Sequence, residues 1–165
     1  IFLTSGTHVL WGKNDLVEIA KELSEIYPDT CYIVSFGNYA KKDEPVEKPA
    51  DNIFVYQYAD YDTFLPKVDY IIHHGGTGIL YNGIKFNKPS VIIPHDYDQF
   101  DYAVRAEIAE IGFPASLKSR KSVIDAVGKM LNKKEWKKLE KMSEDFKKYN
   151  PSDVLKREIE RLVGK

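Results

Sequence analysis

The run Asp69-Tyr70-Ile71-Ile72-His73-His74-Gly75-Gly76-Thr77-Gly78 passes from an apolar strand pattern into a glycine-rich turn, and Ile79-Leu80-Tyr81-Asn82-Gly83-Ile84 continues it as a helix. Glycines let a backbone approach a ligand closely and adopt positive φ. The unpaired N–H groups that open the following helix, together with its dipole, make a receptor for phosphate. In open parallel sheets ligands bind at this end of the strands. A histidine beside the turn, His74, can donate to a phosphate oxygen or place charge near it. The plain alternative is a tight strand-to-helix connection with no ligand. A dinucleotide site competes as well, since Asp96 lies about 20 residues beyond the glycines. That reading fails because G-x-G-x-x-G needs glycine at position 81, where Tyr81 stands.

Outward from this turn, short apolar runs alternate with longer amphipathic stretches. Strands are predicted over residues 1–5, 31–36, 53–58, 70–73 and 90–94, with a weaker one near 115–117. Helices are predicted over 15–26, with Leu16, Ile19, Ala20 and Leu23 on one face and Asn14 as cap, then over 63–68, 77–86 and 99–111. Strands separated by helices imply right-handed βαβ units and a parallel sheet. The fold class is α/β: a Rossmann-like parallel sheet of about six strands with helices on both faces. Residues 41–51 (KKDEPVEKPAD), charged and with two prolines, read as a surface loop. After Ser119 the pattern becomes three helices, over 123–131, 134–149 and 152–163. Residues 1–165 thus read as a single domain, with a Rossmann-like core over 1–118 and C-terminal helices over 119–165.

The chain has 165 residues, of which 43% are hydrophobic and 30% charged, a globular composition. Its net charge of -1 points to no nucleic-acid partner. Cys31 is the one cysteine, which excludes an internal disulfide and disfavours a cysteine metal site. No apolar run reaches the ~18 residues of a membrane span. The chain begins at Ile1, already inside a strand pattern, as a piece of a longer protein would. A cytoplasmic location is expected.

His74-Gly75-Gly76-Thr77-Gly78, Gly83, Lys88-Pro89, Pro94, Asp98-Gln99 and Ala103, in this order and spacing, resemble the donor-binding signature of the GT-B UDP-glycosyltransferases. The dense part of the likeness runs from 53 to 103. The resemblance implies the C-terminal, donor-binding half of a GT-B glycosyltransferase that transfers a hexose to an acceptor hydroxyl. It implies diphosphate contacts from Thr7, His74, Gly76, Thr77 and Gly78. Tyr58 falls where the family usually stacks a tryptophan on uracil, and a tyrosine can still stack. Asn82 stands where a glutamate often holds both ribose hydroxyls, and Asp98 and Gln99 match the pair that binds the sugar. The departures are Asn82, Asp60-Tyr61 in place of Pro-Gln, and Tyr102 in place of Asn. They leave the phosphate site intact and put the base and ribose contacts in question; UDP is expected first and TDP second.

The resemblance implies no cofactor, the UDP-sugar being a substrate, and no metal. His95, Asp96 and Asp98, with His73 or His74, have the chemistry of a divalent site, but they come from separate loops. His73 should face away from His74 and pack under the sheet. His8 and Trp11 follow the first strand, Trp11 either as a loop anchor or against a missing domain. Residues 118–141 hold nine Lys/Arg against three Asp/Glu. With Trp136, Leu139, Met142 and Phe146 on the other side, they form either a packed amphipathic helix or a peripheral membrane contact, the packed helix being favoured.

In such an enzyme the acceptor pocket and general base lie on the N-terminal domain, so no catalytic residue is assigned here and the isolated chain should be inactive. Two alternatives remain. One is a free-standing donor-binding subunit completed by a membrane-associated partner; the other is a domain like that of UDP-GlcNAc 2-epimerases.

Overall fold

A computed structural model describes residues 1–7 and 13–164. His8 and Trp11 lie outside the described residues. In chain order the elements are β1 Phe2–Thr4, α1 Lys13–Ile26, β2 Tyr32–Ser35, β3 Glu47–Ala50, β4 Ile53–Tyr56, α2 Tyr61–Phe64, β5 Ile71–His73 and α3 Thr77–Lys85. They continue as β6 Ser90–Ile92, α4 Gln99–Ile108, β7 Gly112–Pro114, α5 Arg120–Asn132, α6 Lys137–Lys148 and α7 Pro151–Val163. Among the described residues the sheet has seven strands in the order β3-β4-β2-β1-β5-β6-β7, all parallel except β3.

Side chains on adjacent strand residues point to opposite faces, which splits the core. Leu3 and Ile72 join Leu16, Ile19, Ala20 and Leu23 of α1 and Val123, Val127 and Met130 of α5 in the larger cluster. Phe2 and Ile71 pack on the other face with Leu65 and Ile79. Each fully buried aliphatic side chain contributes roughly 1.5–3 kcal/mol. Tyr32, also fully buried, donates its hydroxyl to Leu23 O at 2.9 Å, and burial pushes its phenol up to about 12.

The seventh strand is β3, inside the segment read from sequence as a loop. It pairs antiparallel with β4 at the sheet edge, and Glu47, Lys48 and Pro49 are all exposed. An edge strand needs no apolar face and tolerates a proline on its solvent side, so period-2 patterning cannot reveal it. The last strand lies at Gly112–Pro114 rather than near 115–117. A Cβ at Gly112 would stand 2.6 Å from Ser90 O, so only glycine lets β7 approach β6 here. Asn14 is not a cap, because α1 already begins at Lys13. The helix expected over 63–68 starts earlier, at Tyr61, because the Asp60 carboxylate accepts the Thr63 N–H at 2.9 Å and fixes the N-terminus there.

Asn52, at the turn between β3 and β4, joins three segments. Its Nδ2 donates to Thr30 O at 2.9 Å and Pro28 O at 3.2 Å, and its Oδ1 accepts from Ser24 Oγ at 2.8 Å. Asn52→Ala should destabilise the chain by about 1 kcal/mol, since water can replace part of what is lost at this half-buried site. Urea unfolding of the two proteins measures this, and coincident midpoints would contradict it.

Helix α6 lays its apolar stripe on the protein itself. Trp136 and Leu139 are buried, Ser143 Oγ donates to Lys85 O of α3 at 3.2 Å, and the Phe146 ring meets Tyr81 at 6.4 Å. Trp136 and Leu139 thus form a packed amphipathic helix, while Met142 stays exposed. Helix α7 buries no residue and leaves Leu155, Ile159 and Leu162 exposed. Among the described residues no helix is long and apolar enough to cross a membrane.

Candidate functional site

The strand order runs outward from β1 to β2 and β4, then returns to β5 on the other side of β1. Such a reversal opens a crevice beyond the strand ends, where doubly wound sheets take ligands. Here Ser5-Gly6-Thr7 leaves β1 and His74-Gly75-Gly76 leaves β5, one on each side of the gap.

Backbone geometry builds this crevice. Gly6 has φ +70° and its N–H is accepted by Thr4 Oγ1 at 3.1 Å. Gly75 has φ +91° and donates its N–H to His73 Nδ1 at 3.0 Å. Both φ values lie where a Cβ is strained. The His74 imidazole lies in the slot between Gly6 and Gly76. A Cβ at Gly6 would stand 2.6 Å from its Cε1, and one at Gly76 would collide with its Nε2. Gly76 precedes α3 and offers no side-chain cap, so the amides of the first helical turn have no acceptor from outside the helix among the described residues. Nothing stands within 4 Å of where a Gly78 Cβ would be. The turn is open.

Thr7, His74, Gly76, Thr77 and Gly78 line one crevice of about 270 Å³, with Tyr61 as a wall. Tyr58 and Asn82 line a second, of about 200 Å³. Thr7 and Tyr61 line both, so the two hollows adjoin. Among the described residues no Lys or Arg lines either one, and the helix terminus contributes positive potential there. In the second hollow Tyr58 meets the Tyr39 ring edge-on at 5.0 Å. The Asn82 Nδ2 donates to Gly78 O at 2.8 Å, within its own helix. Burial raises the Tyr61 phenol above its ordinary pKa.

Seven of the nine residues expected in the site thus line these hollows, and Asp98 and Gln99 line neither. Gln99 Oε1 accepts from His95 N at 2.9 Å and Asp96 N at 3.2 Å, so its carbonyl end holds the loop after β6 and only its N–H₂ remains for a ligand. Asp98 is exposed at the start of α4 with no capping bond. Gln99 nonetheless borders the turn, since a Cβ on Gly75 would lie 3.3 Å from Gln99 O. The candidate divalent cluster does not assemble: among the described residues no three His, Cys, Asp or Glu come together to hold an ion. His95 is instead half-buried, and burial lowers its pKa against an opposing effect of Asp15. His73 is buried at the end of β5, at 1% exposure.

Sequence reading missed Tyr61 as a shared wall, and it missed Ser35 and Gly37. Ser35 Oγ accepts Ala59 N at 3.1 Å and Gly37 N at 3.4 Å, tying the ends of β2 and β4 together. Gly37, at φ +65°, packs on the Gly6 carbonyl. The legible signal was a glycine just past the end of three strands, at 6, 37 and 75. Other hollows of about 370 and 300 Å³ lie elsewhere, the first around Thr30, Cys31 and Asp69, the second around Glu107 and Ser122. Neither has an open helix terminus facing a glycine turn.

A sheet order reversing at β1, with a glycine turn and bare helix terminus at the reversal, defines a Rossmann-like domain of the doubly wound class. The sequence pattern of the glycosyltransferase family 28 C-terminal domain matches residues 1–157, and the chain belongs to that family. It is 28% identical over 171 residues to the UDP-glucosyltransferase A1 of Starmerella bombicola, covering 99% of this chain and 36% of the relative. A sterol 3-beta-glucosyltransferase of Saccharomyces cerevisiae is 33% identical over 91 residues, 55% of this chain and 8% of that protein. Among solved structures, the glycotransferase of kitacinnamycin superposes with a TM-score of 0.80 at 20% identity, over 97% of this chain and 42% of the other. A Streptomyces sp. SF2575 glycosyltransferase solved with thymidine diphosphate superposes with a TM-score of 0.75 at 19% identity, over 97% of this chain and 40% of that one. The chain spans about two fifths or less of the length of each of these proteins. Its fold is the C-terminal half of the GT-B type.

Proposed function

We propose that residues 1–165 form the donor-binding domain of a glycosyltransferase that moves a hexose from a nucleotide sugar, first of all a UDP-sugar, to an acceptor hydroxyl. One observation carries the reading: the uncapped first turn of α3 opens onto a crevice into which two glycines seat His74. The diphosphate would lie on the amides of Thr77 and Gly78 beside His74 and Thr7. The nucleoside would extend past Thr7 and Tyr61 to Tyr58 and Asn82, with Asp98 and Gln99 toward the sugar. As the glycosidic bond breaks, negative charge builds on the diphosphate, and fixed amides and an imidazole there lower the barrier. The nucleotide sugar is substrate, and the reading includes no cofactor and no metal.

The acceptor pocket and general base would belong to a further N-terminal domain or a partner subunit. The greater length of the relatives supports this, as does the exposed row Leu155, Ile159 and Leu162, a surface of the kind another domain covers. A cytoplasmic location, at most peripheral to a membrane, goes with the same reading and with a single unpaired cysteine.

Titration calorimetry with UDP, TDP and GDP tests the proposal. UDP should bind best, with TDP, the nucleotide in the Streptomyces sp. SF2575 structure, second. His74→Ala should weaken UDP about 10-fold through loss of a charge-assisted contact. Equal affinity in both proteins would remove His74 from the site.

A further inference from the structure

We propose that His73 is a positioning residue for the anion-receiving turn: its Nδ1 accepts the Gly75 amide and holds Gly75 in the left-handed conformation that opens the next amides to the crevice. The bond is 3.0 Å long and lies wholly inside the protein, where His73 is 1% exposed. It joins the last residue of β5 to the first glycine of the turn. Gly75 is confined on its other side, since a Cβ there would meet Ile92 Cγ2 at 2.9 Å and Gln99 O at 3.3 Å.

With Nδ1 accepting, the ring proton sits on Nε2, and Nε2 is buried with no hydrogen-bond partner among the described residues. Leaving a buried donor so carries a desolvation cost. Ile71 and Ile72 precede it in the strand, and an aliphatic side chain at position 73 would avoid that cost. What an aliphatic cannot supply is the acceptor for Gly75. The acceptor also persists: burial first, and the neighbouring His74 second, lower the His73 pKa to about 3, so the ring stays neutral and Nδ1 keeps its lone pair. A protonated ring would turn Nδ1 into a donor facing the Gly75 N–H.

The inference rests on the reading that this turn receives a diphosphate, and its test separates the two. His73→Leu and His73→Asn are compared with the unaltered chain by UDP titration and by hydrogen exchange of the Gly75 amide without ligand. Asparagine can place Oδ1 near the position of Nδ1. Expected are about fivefold weaker UDP binding and at least tenfold faster Gly75 exchange in His73→Leu, with both within about twofold of normal in His73→Asn. Leucine matching the unaltered chain in both measurements would overturn the proposal, as would the two variants being equally impaired. Should neither variant fold, the ¹⁵N shifts of His73 in the unaltered chain decide: a proton on Nε2 supports the proposal and one on Nδ1 overturns it. Failure of the unaltered chain to bind UDP would defeat the diphosphate reading, while the exchange result would still decide the role of His73.

Discussion

Gly76→Ala is expected to weaken UDP binding about 100-fold while leaving the fold nearly untouched. Gly76 sits at φ -62°, ψ 148°, a conformation alanine adopts without strain. The added methyl, however, would collide with His74 Nε2. The imidazole cannot yield toward β1, because Gly6 closes the slot on that side. It must rotate out, and the methyl then stands beside the amides of Thr77 and Gly78. Two contributions are lost together, the imidazole contact and free approach to the helix terminus. A factor of 100 is about 2.7 kcal/mol. The expected order is informative: Gly76→Ala, which keeps the histidine, should harm binding more than His74→Ala, which removes it but leaves the turn bare. Calorimetry on the two variants, with melting temperatures as control, measures this. If Gly76→Ala bound UDP like the unaltered chain, the ligand could not lie between His74 and α3.

How much of this could be read from residues alone depends on what each residue's role requires. The strand into His73 and the turn at 74–78 were legible because local patterning and turn chemistry coincide there. Thr7 was legible only through family likeness, and its place opposite His74 follows from β1 pairing with β5, a contact between residues about 70 apart in sequence. β3 was hidden because an exposed edge strand carries no burial pattern. β7 was displaced because Gly112 and Pro114, poor strand formers, are there for closeness to β6 and for the edge. Tyr61 could not be found because its neighbours in the crevice come from β1, β5 and α3. The Gln99 oxygen accepts from His95 N and Asp96 N, bonds within its own loop that no spacing pattern announces. Wherever function depends on one segment, sequence suffices; where it depends on which segments meet, only the topology answers.

The same topology makes the chain acid-sensitive through a group that contacts no ligand. His73 ionises near pH 6.5 in the unfolded chain, whereas burial, with His74 second, lowers it to about 3 in the folded one. The sign follows directly. Between these values the unfolded chain binds a proton that the folded chain refuses, so stability is full above about pH 6.5 and falls as the pH drops toward 3. One proton over that window gives a slope of about 1.4 kcal/mol per pH unit, and about 2 kcal/mol should be lost between pH 7 and pH 5. His95, half-buried and also lowered, adds in the same direction. Urea midpoints for the unaltered chain should therefore fall between pH 7 and pH 5, and His73→Asn should flatten most of that fall. A midpoint independent of pH over this range, or an equal fall in His73→Asn, would mean that the ring takes up its proton inside the folded chain. The Gly75 amide would then need another acceptor, so this measurement, made with no nucleotide present, bears on the shape of the turn itself.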